Sequence, residues 1–301
     1  MTILVSGLIN IEITLKIDGF PIEYFPVRYP FGGVNSSVSG VGYNISKALT
    51  TLGDEVDFLS LIGKDAARTM IYEALAHDRI PAAHVLDVMP ATSHSVILYD
   101  DSGRRQINVD LKDSQKTPFD EDTARASVKA CSLAVLCNIN FSRALLRLAQ
   151  GAGKPIATDI HAIHDLEDEY NRDFMAAAHI LFQSHEKLPV SPEEWARLIF
   201  KRYGTEIVVI GMGGGGALLA MRQHNIMERI PAVQTRPIVN TIGAGDALFS
   251  AFVHFYNKTH DAYAALQKAT VFASYKIGEK GAADGFLNEA ALDALYHDVM
   301  A

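Results

Sequence analysis

The stretch TIGAGDALFSAF places a carboxylate, Asp246, directly after three small residues, Gly243, Ala244 and Gly245. The apolar run over 247–255 is typical of a buried helix, so the small residues would form its N-terminus. Free backbone N–H groups and the helix dipole there stabilise an anion such as a phosphoryl group in transfer. Asp246 beside them could accept a proton from an attacking hydroxyl, as a general base does in phosphoryl transfer. The alternative is that Asp246 only complements the helix dipole.

Two other glycine stretches could bring the backbone close to a ligand. GMGGGGALLA, over 211–220, lies between two apolar runs and predicts a strand–turn–strand unit, not the helix opening of a dinucleotide fingerprint. Its turn is interpreted either as a nucleotide contact or as a flexible hairpin. In SGVGYN, Asn44 either caps the following helix or contacts a ligand. No Gly-Lys-Ser/Thr follows a glycine run, which excludes a Walker-type phosphate loop.

Short apolar segments that alternate with helical patterns predict a mostly parallel sheet covered on both faces. The predicted strands are 3–6, 56–62, 133–136, 156–159, 179–182 and 206–210. The predicted helices are 44–52, 66–77, 142–151 and 192–202.

Two stretches break this alternation. Residues 11–31 are extended, aromatic and marked by prolines, and residues 94–111 predict a hairpin around a turn at 100–103. Together they could form a small β-sheet that covers a site as a lid, or they could be surface excursions without a role. We predict lid segments at 11–33 and 91–111, with an α/β core formed by the ranges 1–10, 34–90 and 112–301. An exposed sheet needs cover, so we also predict a homodimer through the lid.

Composition and charge exclude several classes of protein. The net charge of −8 and the pI of about 5.7 argue against a nucleic-acid or membrane-surface partner. No apolar run reaches the roughly eighteen residues of a membrane span. Only Cys131 and Cys137 occur, without metal-type spacing, and the first residues do not resemble a signal peptide. The sequence therefore predicts a soluble cytoplasmic protein.

Two further clusters carry charge. His161 and His164 are three residues apart, among acids, but their context is more typical of a solvated loop than of a metal site. Arg104 and Arg105 lie at the tip of the predicted lid hairpin. They could reach a negatively charged substrate on closure, although charge on an edge strand is the commoner explanation.

Several motifs occur in the order found in one enzyme family. The stretch around Asp246 resembles the second signature of the ribokinase-like (PfkB) carbohydrate kinases, whose usual form is Asp-Thr-x-Gly-Ala-Gly-Asp. GLINIE at residues 7–12, SGVGYN at residues 39–44, the glycine hairpin and KGAADG at residues 280–285 match other elements of the family in order. The chain is thus similar to this family over nearly its whole length.

The resemblance implies a three-layer α/β/α sandwich with a small β-sheet lid. It also implies an ATP- and Mg²⁺-dependent kinase that phosphorylates a hydroxymethyl group. By position, Asp246 would be the base, and Gly243, Ala244 and Gly245 the anion hole. The implied acceptor-binding residues are Asn10, Glu12, Gly40, Gly42, Asn44, Asn140 and Asn240. The implied ATP-side residues are Gln183, Glu186, Gly211, Gly213 and Gly216, with Glu186 acting on Mg²⁺ through water.

The chain also departs from the family at several of these positions. Asn240 stands where most members have Asp, beside the monovalent-cation loop, which argues against K⁺ dependence. A similar Asn occurs in pseudouridine kinases, so a nucleoside acceptor is considered beside a sugar. Gln183 replaces the Asn of Asn-x-x-Glu, Glu12 is longer than the usual Asp, and Val41 stands where ribokinase has Lys. These changes argue against ribokinase proper.

We therefore predict an ATP-dependent kinase that acts on a small sugar or nucleoside. The alternative is a non-catalytic sugar or nucleotide sensor on the same fold, which could lose Asp246 freely, whereas this chain keeps it. An NAD-dependent dehydrogenase is not favoured, because this chain lacks the glycine-rich dinucleotide-binding fingerprint after its first predicted strand.

Overall fold

Residues 2–223 and 225–300 are described by the computed structural model, and within them thirteen strands and nine α-helices form. The strands are β1 (Thr2–Ser6), β2 (Asn10–Lys16), β3 (Val34–Ser39), β4 (Glu55–Gly63), β5 (Val85–Met89), β6 (His94–Tyr99), β7 (Arg105–Asp110), β8 (Leu133–Leu136), β9 (Ile156–Asp159), β10 (Ile180–Ser184), β11 (Ile207–Gly211), β12 (Ala217–Met221) and β13 (Ile226–Ile230). The helices are α1 (Val41–Leu52), α2 (Ala67–His77), α3 (Glu121–Ala130), α4 (Arg143–Gly151), α5 (Arg172–Ala177), α6 (Pro192–Tyr203), α7 (Ala244–Thr259), α8 (Ala262–Lys276) and α9 (Glu289–Met300).

The large sheet has the strand order β13-β12-β11-β10-β9-β8-β1-β4-β5. Its pairs are parallel from β5 to β11, and β12 and β13 extend it antiparallel. The antiparallel β11–β12 pair is the predicted strand–turn–strand unit. Because parallel strands point the same way, their carboxyl ends meet at one edge, where a ligand site in such sheets usually lies.

Helices cover both faces of this sheet. Side chains alternate between the faces, so Ile3 and Val5 pack with α1, α2, α7, α8 and α9, while Leu4 packs with α3, α4, α5 and α6. Phe182 of β10 packs edge-on against Phe249 and Phe252, which fixes α7 against the sheet. The predicted three-layer α/β/α class with a second, smaller sheet is confirmed.

The smaller sheet has the order β3-β2-β6-β7. Strands β6 and β7 form the predicted hairpin, with the Asp100 carboxylate accepting hydrogen bonds from the backbone N–H groups of Ser102 and Arg104. The sheet also includes β3, which begins just after the boundary predicted at residue 33, because β3 pairs with β2 along six residues. Among the described residues, no helix combines the length and the apolarity needed to cross a membrane.

Candidate active site

A cavity of about 230 Å³ lies at the carboxyl edge of the large sheet, under the smaller sheet. Its walls come from the turn after β1, the start of α1, the end of β9, the start of α7 and the inner face of the smaller sheet. Of the predicted site residues, it brings together Asn10, Glu12, Gly40, Asn44, Gly243, Gly245 and Asp246.

Asp246 lies in the first turn of α7, half-buried against the cavity. The first intrahelical bond runs from Ala247 N to Gly243 O, so the N–H groups of Gly245 and Asp246 make no intrahelical hydrogen bond. Burial raises the pKa of the Asp246 carboxyl, and the nearby Asp159 adds to this rise, whereas Asn44, His161 and Lys276 oppose it. A raised pKa brings the carboxylate closer to the range in which it accepts protons efficiently at neutral pH.

A chain of polar side chains holds the Asp246 carboxylate. Asn44 donates a hydrogen bond from Nδ2 to Asp246 Oδ2 at 2.7 Å. Ser39 Oγ lies 3.2 Å from Asn44 Oδ1 and 3.0 Å from Glu12 Oε2, so its single proton is directed at one of these two acceptors. Burial raises the pKa of Glu12, and the charge of Asp246 adds to this shift. When Ser39 donates its proton to Asn44 Oδ1, the Asn44 amide is held with its nitrogen toward Asp246.

Two acceptor atoms in the cavity wall are left without a hydrogen-bond donor. Asn10 Oδ1 and Glu12 Oε1 are both buried, on residues that are 2% and 5% exposed, and neither has a partner within the described protein. Buried polar atoms are rarely left unpaired in a working protein. Both atoms accept hydrogen bonds, so the complementary ligand group is a hydroxyl or an amine.

The turn before α7 is fixed by residues that do not contact the cavity through their side chains. Gly243 caps the helix with φ of +75°, and a Cβ on it would collide with the carbonyl group of Ala282. Asn240 Nδ2 donates to the backbone carbonyls of Glu279 and Lys280, at 3.2 and 2.8 Å, and its Oδ1 accepts from Ile242 N at 2.9 Å. Asn240 thus joins this turn to the loop after α8.

The smaller sheet closes over the cavity. Ile97, Ile107 and Val109 line it from strands β6 and β7. Arg105 also lines it and donates a hydrogen bond from Nη1 to Thr241 Oγ1, in the turn before α7. Among the described residues Arg105 makes no ion pair, whereas its neighbour Arg104 pairs with Asp100. The arrangement therefore places one unpaired cation at the edge of the cavity.

We expect Arg105→Ala to weaken acceptor binding, because it removes a cavity-lining charge and the contact to Thr241. A roughly tenfold rise in acceptor KM, equivalent to about 1.4 kcal/mol, is the expected result in steady-state kinetics. Arg104→Ala is the matched control, since Arg104 does not line the cavity and should leave KM within about twofold. Equal KM values for wild type and Arg105→Ala would contradict this role.

Four of the residues predicted for catalysis and acceptor binding do not line the cavity. Gly42 packs on Gly7, whose backbone would lie 2.5 Å from an added Cβ. The side chain of Asn140 donates to Gln115 O and accepts from Arg143 Nε, both at 2.9 Å, and so is satisfied away from the site. The other two are Ala244 and Asn240.

The residues predicted for the ATP side lie further along the same edge. Ser184 of β10 and Gly211 of β11 are paired in register, which brings the loops carrying Glu186 and the glycine hairpin together. Glu186 is exposed, and Cβ atoms at Gly213 or Gly214 would meet nothing within 4 Å, so this shelf is open. Gly216 is different, because an added Cβ would collide with the Ile230 carbonyl, which makes it a requirement of the fold.

Gln183 stands apart from the open shelf. Its side chain is 3% exposed and neither amide atom has a hydrogen-bond partner within the described protein. By strand alternation it faces the same side as Leu181, toward α4 to α6, and not toward α7.

Sequence reasoning did not assign several of the cavity residues. Ser39 could have been found, because it opens the SGVGYN stretch that contains Asn44. Asp159 and His161 follow β9, and Asp159 Oδ2 lies 4.0 Å from the Cβ position of Gly245. Among residues 2–223 and 225–300, no group of three or more His, Cys, Asp or Glu side chains is arranged to hold a metal ion. His161 instead faces the cavity near Asp246.

Comparison with known proteins adds a family and a fold. The family described as "pfkB family carbohydrate kinase" matches residues 2–289. The deoxyribokinase of Salmonella typhi is 25% identical in an alignment 295 positions long, which covers 93% of this chain and 94% of that protein.

Two solved structures show the same fold over nearly their full length. One is the ribokinase of Arabidopsis thaliana complexed with ribose and ATP, with a TM-score of 0.81, 19% identity and 98% coverage of both chains. The other is the nucleoside kinase of Burkholderia thailandensis in complex with inosine, with a TM-score of 0.78 and 16% identity, covering 99% of this chain and 98% of that one.

Proposed function

Because this chain belongs to the pfkB family of carbohydrate kinases, and is therefore a phosphotransferase, we propose that it transfers a phosphoryl group from ATP to a hydroxyl of a small sugar or nucleoside, with Asp246 as general base. Family membership favours this function over a non-catalytic sensor on the same fold. The observation that carries the proposal is the Asp246 carboxylate, which faces a cavity next to free N–H groups of a helix N-terminus.

The geometry supports a simple division of labour in the reaction. Asn10 Oδ1 and Glu12 Oε1 accept hydrogen bonds from acceptor hydroxyls and orient the acceptor. Asp246 accepts the proton of the reacting acceptor hydroxyl. As the hydroxyl oxygen forms its bond to phosphorus, the bond between phosphorus and the departing ADP breaks. The N–H groups of Gly245 and Asp246 stabilise the negative charge of the phosphoryl group in transfer.

The ATP side of the site fits a nucleotide. Gly213 and Gly214 leave an unfilled shelf on the β11–β12 turn, where a flat base and ribose can lie against the backbone. The exposed carboxylate of Glu186 lies on the adjoining loop, and Mg²⁺ that keeps most of its waters needs only one or two such carboxylates. When bound, Mg²⁺-ATP supplies the phosphoryl group and part of the charge that neutralises it.

The acceptor site fits a polyhydroxylated molecule of modest size. Its volume, about 230 Å³, and its two unpaired acceptor atoms suit a compact molecule with several hydroxyl groups. The deoxyribokinase relative and the inosine-bound nucleoside kinase act on or bind molecules of these two kinds. A sugar and a nucleoside therefore remain the two acceptor classes of the proposal.

The proposal is tested by measuring ADP release in the presence of each member of a panel of sugars and nucleosides. The control is ADP release with ATP alone. We expect at least one pentose, hexose derivative or nucleoside to raise ADP release far above the rate with ATP alone. A panel in which no acceptor raises this rate, with ATP binding intact, would contradict the assignment.

We further propose that β2, β3, β6 and β7 act as a lid and that two copies of the chain meet through it. Strand β7 is exposed along its whole length at the edge of the smaller sheet, and Val34 and Val96, on the face turned away from the cavity, are 57% and 39% exposed. Such an apolar sheet surface with an open edge needs cover. Light scattering at micromolar concentration should give the mass of a dimer, and Val96→Lys should shift it toward the monomer. A wild-type monomer would refute this interface.

A further inference from the structure

Lys276 is a buried charge that the proposed reaction does not use. It ends helix α8, its side chain is fully buried, and its ammonium group donates a hydrogen bond to the backbone carbonyl of Ile242. Among the described residues it makes no close ion pair. Burying an ammonium group is costly unless the surroundings offset its charge, so the position calls for an explanation.

The surroundings of Lys276 are acidic, and two of the acidic neighbours, Glu12 and Asp246, line the active-site cavity. The carboxylates that face it come from the lid, from α7 and from the loop after α8, and they are Glu12, Asp246, Glu279 and Asp284. Arg236, which pairs with Glu279, adds a positive charge beside this group. Burial lowers the pKa of Lys276 to about 8, and the four carboxylates oppose that shift. Lys276 therefore keeps its positive charge at neutral pH.

The carbonyl that Lys276 binds is in the turn that opens α7. Ile242 directly precedes Gly243, the cap of the helix whose first turn carries Asp246. The neutral amide of Asn240 occupies the carbonyls of Glu279 and Lys280 on the other side of the same turn. The resemblance to the family places a monovalent cation beside this loop, but here an ammonium group already holds a loop carbonyl and an amide replaces the usual carboxylate. These residues do not fit an additional K⁺.

We propose that Lys276 is a built-in monovalent cation, which fixes the turn before α7 and makes the enzyme independent of K⁺. It acts through Ile242 and Gly243 and is therefore a positioning residue. The inference rests on the proposed function, but it fails separately, because stimulation by K⁺ would refute it while leaving phosphoryl transfer in place.

The first test uses the wild-type protein. We expect kcat and the unfolding temperature to be the same in KCl and in tetramethylammonium chloride at equal ionic strength. A bound ion would stabilise the folded state in proportion to its occupancy, so this second measurement does not depend on turnover. A K⁺-specific rise in either quantity would overturn the proposal.

The second test removes the ammonium group. Lys276→Met should lower kcat by roughly tenfold with little change in the KM for ATP. Lys268→Met is the matched control, because Lys268 lies on the same helix and pairs at 2.6 Å with the surface residue Asp293. Lys276→Ala should regain part of its kcat, and gain thermal stability, when K⁺ or methylammonium is added. Unchanged kcat in Lys276→Met, or loss without rescue in Lys276→Ala, would show that the charge has no such role.

The pH dependence gives a readout that a purely structural lysine would not change. Because the ammonium group of Lys276 loses its proton as the pH rises through about 8, wild-type kcat should fall over the same pH range, which forms the alkaline limb of its pH profile. The limb should be absent from Lys276→Met, which carries no titrating group at this position. The same alkaline limb in both proteins would assign it to another group and overturn the role of Lys276.

Discussion

Asp246→Asn is expected to lower kcat by about 10²–10⁴-fold, the usual contribution of a positioned general base. The asparagine keeps the shape of the side chain, and its Oδ1 can still accept the hydrogen bond from Asn44 Nδ2. It cannot accept the proton of the acceptor hydroxyl. Steady-state kinetics with the acceptor found in the screen measures the effect.

The fold should not suffer from this substitution. Burial raises the pKa of Asp246 in the folded state above its unfolded value. The folded state then binds the proton more tightly, and stability falls as the pH rises from the unfolded pKa through the folded pKa. At neutral pH the ionised carboxylate is thus a cost, and Asp246→Asn should melt at the wild-type temperature or above it. A lower melting temperature would mean that lost activity reflects a damaged fold.

Gly243→Ala is the second change with a large expected effect. Alanine at φ of +75° costs about 1–2 kcal/mol, and its Cβ would also meet the Ala282 carbonyl, so the turn must move. We expect a loss of stability of about 2–3 kcal/mol in denaturant unfolding. Because a displacement of about 1 Å near the reacting groups can cost 10²-fold, we also expect kcat to fall by about that factor.

Gly153→Ala separates the two causes. Gly153 has φ of +64° in the turn after α4, and an added Cβ there would meet nothing within 4 Å. In Gly153→Ala the free energy of unfolding should fall only by the conformational cost of about 1–2 kcal/mol, and kcat should stay at the wild-type value. If Gly243→Ala behaved like Gly153→Ala in both stability and kcat, the close packing against Ala282 would have no part in forming the site.

Much of the fold could be predicted because its central strands are buried on both faces. The predicted strands at 133–136 and 156–159 coincide with β8 and β9, because short apolar runs that alternate with helical patterns are typical of buried parallel strands. Strand β3, VNSSVS, was missed because its residues are polar and partly exposed, and its pairing with β2 comes from the tertiary structure. Strands β5 and β13, near the edge of the sheet, were missed for a similar reason.

The site residues likewise fall into those that the sequence could indicate and those that only the tertiary structure shows. Asp246, Asn44, Gly40, Gly243 and Gly245, which line the cavity, could be proposed from the sequence because they lie close to helix starts, where small residues and capping side chains have a recognisable chemistry. For Arg105 the sequence favours a charge on an edge strand, because it cannot show which residues lie beneath the hairpin. Lys276 gave no signal at all, since a lysine in a helical pattern is usually exposed and only the packing of α8 buries it.

Single-turnover phosphoryl transfer with acceptor saturating is the measurement closest to the central claim. Rapid quenching of wild type and Asp246→Asn isolates the chemical step from substrate binding and product release. Loss of the general base predicts a transfer rate at least about 10²-fold slower in the variant, with unchanged dissociation constants for ATP and acceptor. A variant that transfers phosphate at the wild-type rate would show that the carboxylate at the start of α7 is not the base.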